Sequence, residues 1–146
     1  MEGKVRAVCI SEKKGTRKRE VSSAVLVTDS GIRGDAHAGS WPRQVSLLAS
    51  EDAERMKQVL PELKPGDFAE NILTQGVDLD CVEVGDIIRL GKDIILEVTQ
   101  IGKECHTACE IRNKTGKCIM PSRGVFARVI QGGSLRKGDP VRIEKT

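Results

Sequence analysis

Short runs of Val and Ile set the terms for how this chain can fold. Residues 4–10, 24–28, 44–49, 86–90, 94–101, 124–130 and 140–144 are brief and apolar, and several are bounded by Gly, Asp or Pro. Such segments read as strands. One helix is well signalled: Ser50 reads as its cap, Glu51 and Asp52 suit its positive N-terminus, Ala53, Met56, Val59 and Leu60 form a stripe, and Pro61 closes it. A second short helix is expected over 105–113. Many strands with little helix predict a mainly β fold, a closed or nearly closed β-barrel with a few short peripheral helices, because closure removes exposed sheet edges. The segments 83–91 and 136–144 share a Gly-Asp turn followed by a strand and read as two similar barrel corners.

With 146 residues, 38% of them hydrophobic, the chain is large enough to bury roughly 70% of its unfolded surface. No linker or shift of composition divides it, so one domain over residues 1–146 is expected. The start of the chain lacks the apolar core of a secretory signal, and no apolar run is long enough to span a bilayer, which predicts a cytoplasmic protein without a membrane partner. The 24 Lys+Arg against 21 Asp+Glu give a balance that does not point to nucleic acid. Aromatic residues make up only 2%, leaving few platforms for stacking bases. A small anionic ligand fits this composition. The five cysteines, an odd number without an export signal, are expected to be thiols.

Three segments carry chemistry. Residues 31–44 (GIRGDAHAGSWPRQ) gather three glycines, Asp35, His37, a lone Trp41, and Arg33 and Arg43 on the flanks. Arginines grip phosphate or carboxylate with paired hydrogen bonds, so this reads as an anion-gripping loop leading into a strand. It reads equally as a solvated turn in which His37 pairs with Asp35. Residues 64–76 place Glu70 and Asn71 at the head of an apolar run; the Asn71 amide suits the edge of a heterocycle, or caps a turn. Residues 99–129 are the densest. Lys103 and His106 flank Cys105, and neighbouring cations favour the thiolate, the form that attacks sulfur or binds a metal. Cys109 and Cys118 follow at a spacing that matches neither common zinc ribbons nor iron–sulfur sets, so a structural zinc is the weaker reading. The basic run 13–19 reads as a solvated hairpin loop, or as an electrostatic lip for an anionic ligand or acidic protein.

Taken together, Gly34-Asp35-x-His37-x-Gly39, Glu70-Asn71, Val84-Gly85-Asp86, the strand ILEVTQIGKECH ending at Cys105 and its neighbours, and the stretch 116–139 resemble the MOSC domain, named for the C-terminal part of molybdenum-cofactor sulfurases. The resemblance is to small stand-alone members and covers essentially the whole chain. It implies a β-barrel-like fold and the molybdenum cofactor (molybdopterin) as ligand. Cys105 would be a persulfide carrier or the thiolate ligand of molybdenum, with Lys103 and His106 lowering its pKa. Arg33, Asp35, His37, Arg43, Asn71 and Arg123 would line the cofactor site. The sulfur donor would be a separate pyridoxal-phosphate cysteine desulfurase, or the partner a molybdopterin biosynthesis protein. Two other readings go with the same resemblance: a cofactor-dependent reductase of N-hydroxylated compounds, and a non-catalytic adaptor.

Overall fold

The computed structural model describes residues 2–14, 16–102 and 124–146. Its strands are β1 (Glu2–Ile10), β2 (Arg19–Val21), β3 (Ser23–Val27), β4 (Gly31–Ile32), β5 (Val45–Ala49), β6 (Ile72–Gln75), β7 (Ile87–Leu90), β8 (Ile94–Ile101), β9 (Val125–Gln131), β10 (Gly133–Arg136) and β11 (Pro140–Glu144). Helix α1 covers Ser50–Met56, and a single 3-10 turn covers Leu79–Cys81.

Seven strands close on themselves in the order β1-β11-β7-β8-β9-β5-β6, with β6 returning to β1. A ring of strictly alternating strands needs an even number, so a ring of seven needs a parallel pair. That pair is β5 and β6, joined through Leu47↔Ile72, Leu48↔Leu73 and Ala49↔Thr74. Parallel neighbours cannot be linked by a tight hairpin. Residues 50–71, opening with α1, supply the crossover. The remaining strands β10, β3 and β4 form a small antiparallel sheet.

Alternation along each barrel strand sorts the side chains into two cores. Val8, Leu47, Ile72 and Val125 point into the barrel and pack with Ile88, Leu90, Leu96, Val98 and Val141. Leu26, Ile32 and Leu135 of the small sheet, and Val77, Leu79 and Val82 after β6, join that cluster, so the lumen is filled. Their immediate neighbours Cys9, Leu48, Leu73 and Phe126 point outward and pack with Met56, Leu63 and Phe68 of the crossover.

The structure agrees with the sequence reading on architecture and refines its details. Ser50 is the first helical residue, not the cap: β5 runs straight into the helix, so the extended cap position falls on Ala49, which makes no side-chain cap bond. The helix stops at Met56; of the expected stripe Val59 is 61% exposed, while Leu60, past the helix end, still packs against the outer core. The second expected helix, 105–113, lies outside the described residues. The two Gly-Asp corners are the same device. Gly85 and Gly138 both take a positive φ; Asp86 accepts a hydrogen bond from the Glu83 N–H at 2.8 Å, and Asp139 accepts one from the Arg136 N–H at 3.0 Å. Among the described residues no helix is long and apolar enough to cross a membrane.

Candidate functional site

The hairpin between β1 and β2 sends one of its cations inward. Lys18 has no exposed side-chain surface, and its ammonium donates to Asp35 Oδ1 at 2.7 Å and to Ser11 Oγ at 3.0 Å, with His37 Nδ1 also at 3.0 Å. An ammonium carries three hydrogens, so all three are engaged. Because an ammonium only donates, His37 Nδ1 is the acceptor, and the ring hydrogen belongs on Nε2. The basic run is thus a hairpin loop, but it is not wholly solvated: its Lys18 is a buried structural cation.

Asp35 is the hub of this arrangement. One carboxylate oxygen accepts from the Ser11 N–H and from Lys18; the other accepts from the His37 N–H at 3.0 Å. Burial works against its charge, but His37, Lys18 and the Ser11 N–H together hold the carboxyl well below the usual carboxylate range. For Lys18 burial is the larger effect and lowers its pKa, with Asp35 opposing it. The Ala36 N–H donates to the Ser11 carbonyl at 2.8 Å, so the loop is fastened to the end of β1 by backbone as well as side chain.

Beyond Asp35 the loop presents its remaining groups around the lone tryptophan. The His37 and Trp41 rings are nearly parallel, 7° apart with centroids 6.1 Å from each other, and Trp41 Nε1 donates to the His37 carbonyl at 2.6 Å. Lys14 Nζ and the Arg43 guanidinium each lie 4.7 Å from the centre of the Trp41 ring. Among the described residues neither cation pairs with a carboxylate. Arg43 also lies 6.0 Å from the Phe126 ring, and Thr99 Oγ1 donates to the Pro42 carbonyl, which ties this end of the loop to β8. Trp41 and Pro42 wall a cleft of about 540 Å³ whose floor includes Val84, Val98 and the Glu97–Arg128 pair. On the other side, Lys13, Arg19 and Lys64 border a cleft of about 640 Å³ above Ser11 and Lys18.

His37 and Arg43 therefore meet around Trp41 with Asp35 behind them. Arg33 does not join them; it is exposed and lines a different cleft of about 900 Å³, with Lys92 and Arg136. Asn71 is fully buried: its amide oxygen accepts from the Ser46 N–H at 3.0 Å and its amide nitrogen donates to the Cys9 carbonyl at 3.1 Å, which stitches β5 to β1 just before β6 begins. Lys103, Cys105, His106 and Arg123, with Cys109 and Cys118, lie outside the described residues. The roots of their segment are described: the Gly102 N–H donates to the Gly124 carbonyl at 2.7 Å, and Gly124 is two residues from Phe126. Of the thiols described, Cys9 is buried and its pKa is raised, by burial first and then by Glu70; Cys81 is exposed.

Lys18 and Ser11 are participants that the sequence did not single out, and Glu70 was marked in it without a role. Lys18 stands among four other cations with nothing to mark it as the buried one. Glu70 is 1% exposed and accepts from the Gly66 N–H at 2.9 Å and the Phe68 N–H at 3.1 Å. Burial pushes its carboxyl up to about 7 against those bonds.

This β-barrel, with a glycine-aspartate-histidine loop fastened beside the root of a cysteine-bearing segment, matches the MOSC domain over residues 34–142, and the chain belongs to that family. The family is associated with the molybdenum cofactor. A curated reductase from Gibberella moniliformis is 27% identical over 90% of this chain, and the chain spans about a quarter (27%) of that protein's length. The YUAD protein from Bacillus subtilis has the same fold, with a TM-score of 0.82 at 17% identity over all of this chain and 97% of that one. YiiM from Escherichia coli is similar too, with a TM-score of 0.66 at 20% identity over 98% of this chain and 70% of that one.

Proposed function

We propose that this chain handles the molybdenum cofactor, with Cys105 as its sulfur and the 35–43 loop as the edge that holds the cofactor's anionic end. The observation that carries this reading is the place of Arg43. Its guanidinium, over Trp41 and near Phe126, lies beside the root of the segment that bears Cys105. The donor set suits a phosphate: Lys14, Arg43 and the Nε2–H of His37 only donate, and Asp35, the carboxylate against His37, is neutralised by Lys18. Lys18 itself does not reach a ligand, because its hydrogens are spent; it holds Asp35, and Asp35 holds the loop backbone at His37. Bound here, the cofactor would supply a molybdenum centre for redox chemistry, with Cys105 as its soft thiolate ligand.

As a carrier, the Cys105 thiolate would attack the terminal sulfur of a desulfurase persulfide. A new S–S bond forms at Cys105 as the donor's S–S bond breaks, and the donor cysteine leaves as a thiolate, so no external oxidant is required. Mass spectrometry with metal analysis of protein isolated from molybdenum-replete cells separates the two roles. One extra sulfur that is lost in Cys105→Ser marks the carrier; molybdenum lost in the same variant marks the ligand. Wild type and variant alike in both measurements would discard Cys105.

A second reading, a molybdenum-dependent reductase of N-hydroxylated compounds, draws support from the curated relative's name. Electrons would come from a separate flavin or iron–sulfur protein. Turnover of an amidoxime by molybdenum-loaded protein with a chemical reductant, abolished in Cys105→Ser, supports it.

A further inference from the structure

Glu70 has no direct contact with the Asp35 cluster, yet the two share one turn. Both carboxylate oxygens of Glu70 accept backbone N–H groups of that turn, from Gly66 and Phe68. The carbonyl of Gly66 accepts the Lys18 N–H at 2.8 Å. There is no slack at this junction, for a Cβ on Gly66 would stand 2.1 Å from the Lys18 carbonyl oxygen. From Lys18 the connection continues through its ammonium to Asp35, Ser11 and His37.

We propose that Glu70 is a positioning residue for the anion-holding loop: by gripping Gly66 it fixes the backbone of Lys18, and Lys18 in turn sets Asp35 and His37. Its relevance to ligand binding rests on the reading of that loop given above; the geometry of the linkage does not.

The grip depends on the charge of Glu70. A carboxylate offers lone pairs to both N–H groups, whereas the protonated acid must place a hydrogen on an oxygen that already faces a donor. Asp67 on the same turn and Lys18 on the hairpin are the charged groups that Glu70 feels, and the Cys9 thiol on β1 is kept neutral beside it. Arg6, Glu54, Lys57 and Lys64 surround the small pocket that Glu70 lines on its other side. Burial brings its titration close to neutrality, so the grip tightens as pH rises through that range and loosens below it.

The sequence holds its own reporters, one tryptophan and two histidines. In the full-length wild type, NMR follows the Glu70 carboxyl carbon, the Lys18 amide and the His37 ring through a pH titration, while Trp41 fluorescence is read in parallel. The Lys18 amide is expected to shift with the midpoint of the Glu70 carboxyl, and the Trp41 emission to carry the same step. In Glu70→Gln that step is lost. A Glu70 carboxyl that titrates while the Lys18 amide stays still overturns the proposal, and this arm needs no variant to fold. A folded Glu70→Gln protein that keeps the wild-type step at Lys18 overturns it as well. Inorganic phosphate, titrated against Trp41 fluorescence, tests the underlying reading separately: no response there removes the anion site but leaves the linkage of Glu70 to Lys18 intact.

Discussion

The ammonium of Lys18 lies 2.7 Å from Asp35 Oδ1, and neither side chain has any exposed surface. A buried pair of this kind gains little over an apolar replacement of both partners, but the loss of one partner strands a charge in the interior. Lys18→Met is therefore expected to destabilise the fold by about 3–5 kcal/mol. Adding Asp35→Asn is expected to restore part of the loss. Urea denaturation of both single variants and the double variant measures this, and strict additivity would show that the pair is not coupled.

Stability should depend on pH with opposite signs from two carboxyls. Burial raises Glu70 to about 7 from its ordinary 4.5, so the folded protein keeps a proton that the unfolded chain releases. Its contribution is complete below pH 4.5 and is lost as pH rises toward 7, by about 3 kcal/mol at most. Asp35 acts the other way: its depressed pKa stabilises the fold above the ordinary carboxylate range, and that is lost in strong acid. Denaturation midpoints between pH 5 and 8 should fall with rising pH in wild type and flatten in Glu70→Gln.

Gly66 and Gly138 share a positive φ, of 94° in each case, but not their surroundings. At Gly138 a methyl group meets nothing within 4 Å, so Gly138→Ala should cost only the backbone strain, about 1–2 kcal/mol. At Gly66 the same methyl collides with the Lys18 backbone, so Gly66→Ala should cost at least about 3 kcal/mol, strain and overpacking together. Thermal denaturation of the two variants side by side tests the contrast.

The thiols should separate by reactivity. Exposed Cys81 is expected to alkylate in the native protein, and buried Cys9, its thiolate further disfavoured by Glu70, only on unfolding. On the function proposed, Cys105 reacts ahead of both. Peptide mapping after timed alkylation gives the order, and a Cys105 no faster than Cys81 speaks for the adaptor reading.

The barrel was legible because six of its seven strands are short runs rich in Val and Ile, several bounded by Gly, Asp or Pro; that Leu47 faces the inner core and Leu48 the outer one was not. Four strands were not legible: Gly31–Ile32, Arg19–Val21, Gly133–Arg136 and Ile72–Gln75, the last of which closes the barrel. Gly31–Ile32 and Arg19–Val21 are too brief to show any period, and they exist because β3 and β1 offer them an edge. The site shows the same division. Gly-Asp occurs at 66–67, 85–86 and 138–139, where each aspartate accepts the N–H of the residue three before it. It occurs again at 34–35, where Asp35 instead accepts from the residue two ahead, from Ser11, and from a buried lysine. The dipeptide is the same in all four; what differs is the long-range partner, and no local pattern encodes Lys18. Asn71 likewise could not be resolved between ligand and scaffold until Ser46 and Cys9 were seen to take up its amide.

The hydrogen bond from Gly102 to Gly124 has a consequence for how such a protein can change. It completes the ladder between β8 and β9 at its last rung, so barrel closure there is set by residues outside the cysteine-bearing stretch. The sequence between Gly102 and Gly124 can therefore be rewritten, shortened or exchanged among relatives while β8 and β9 keep their register.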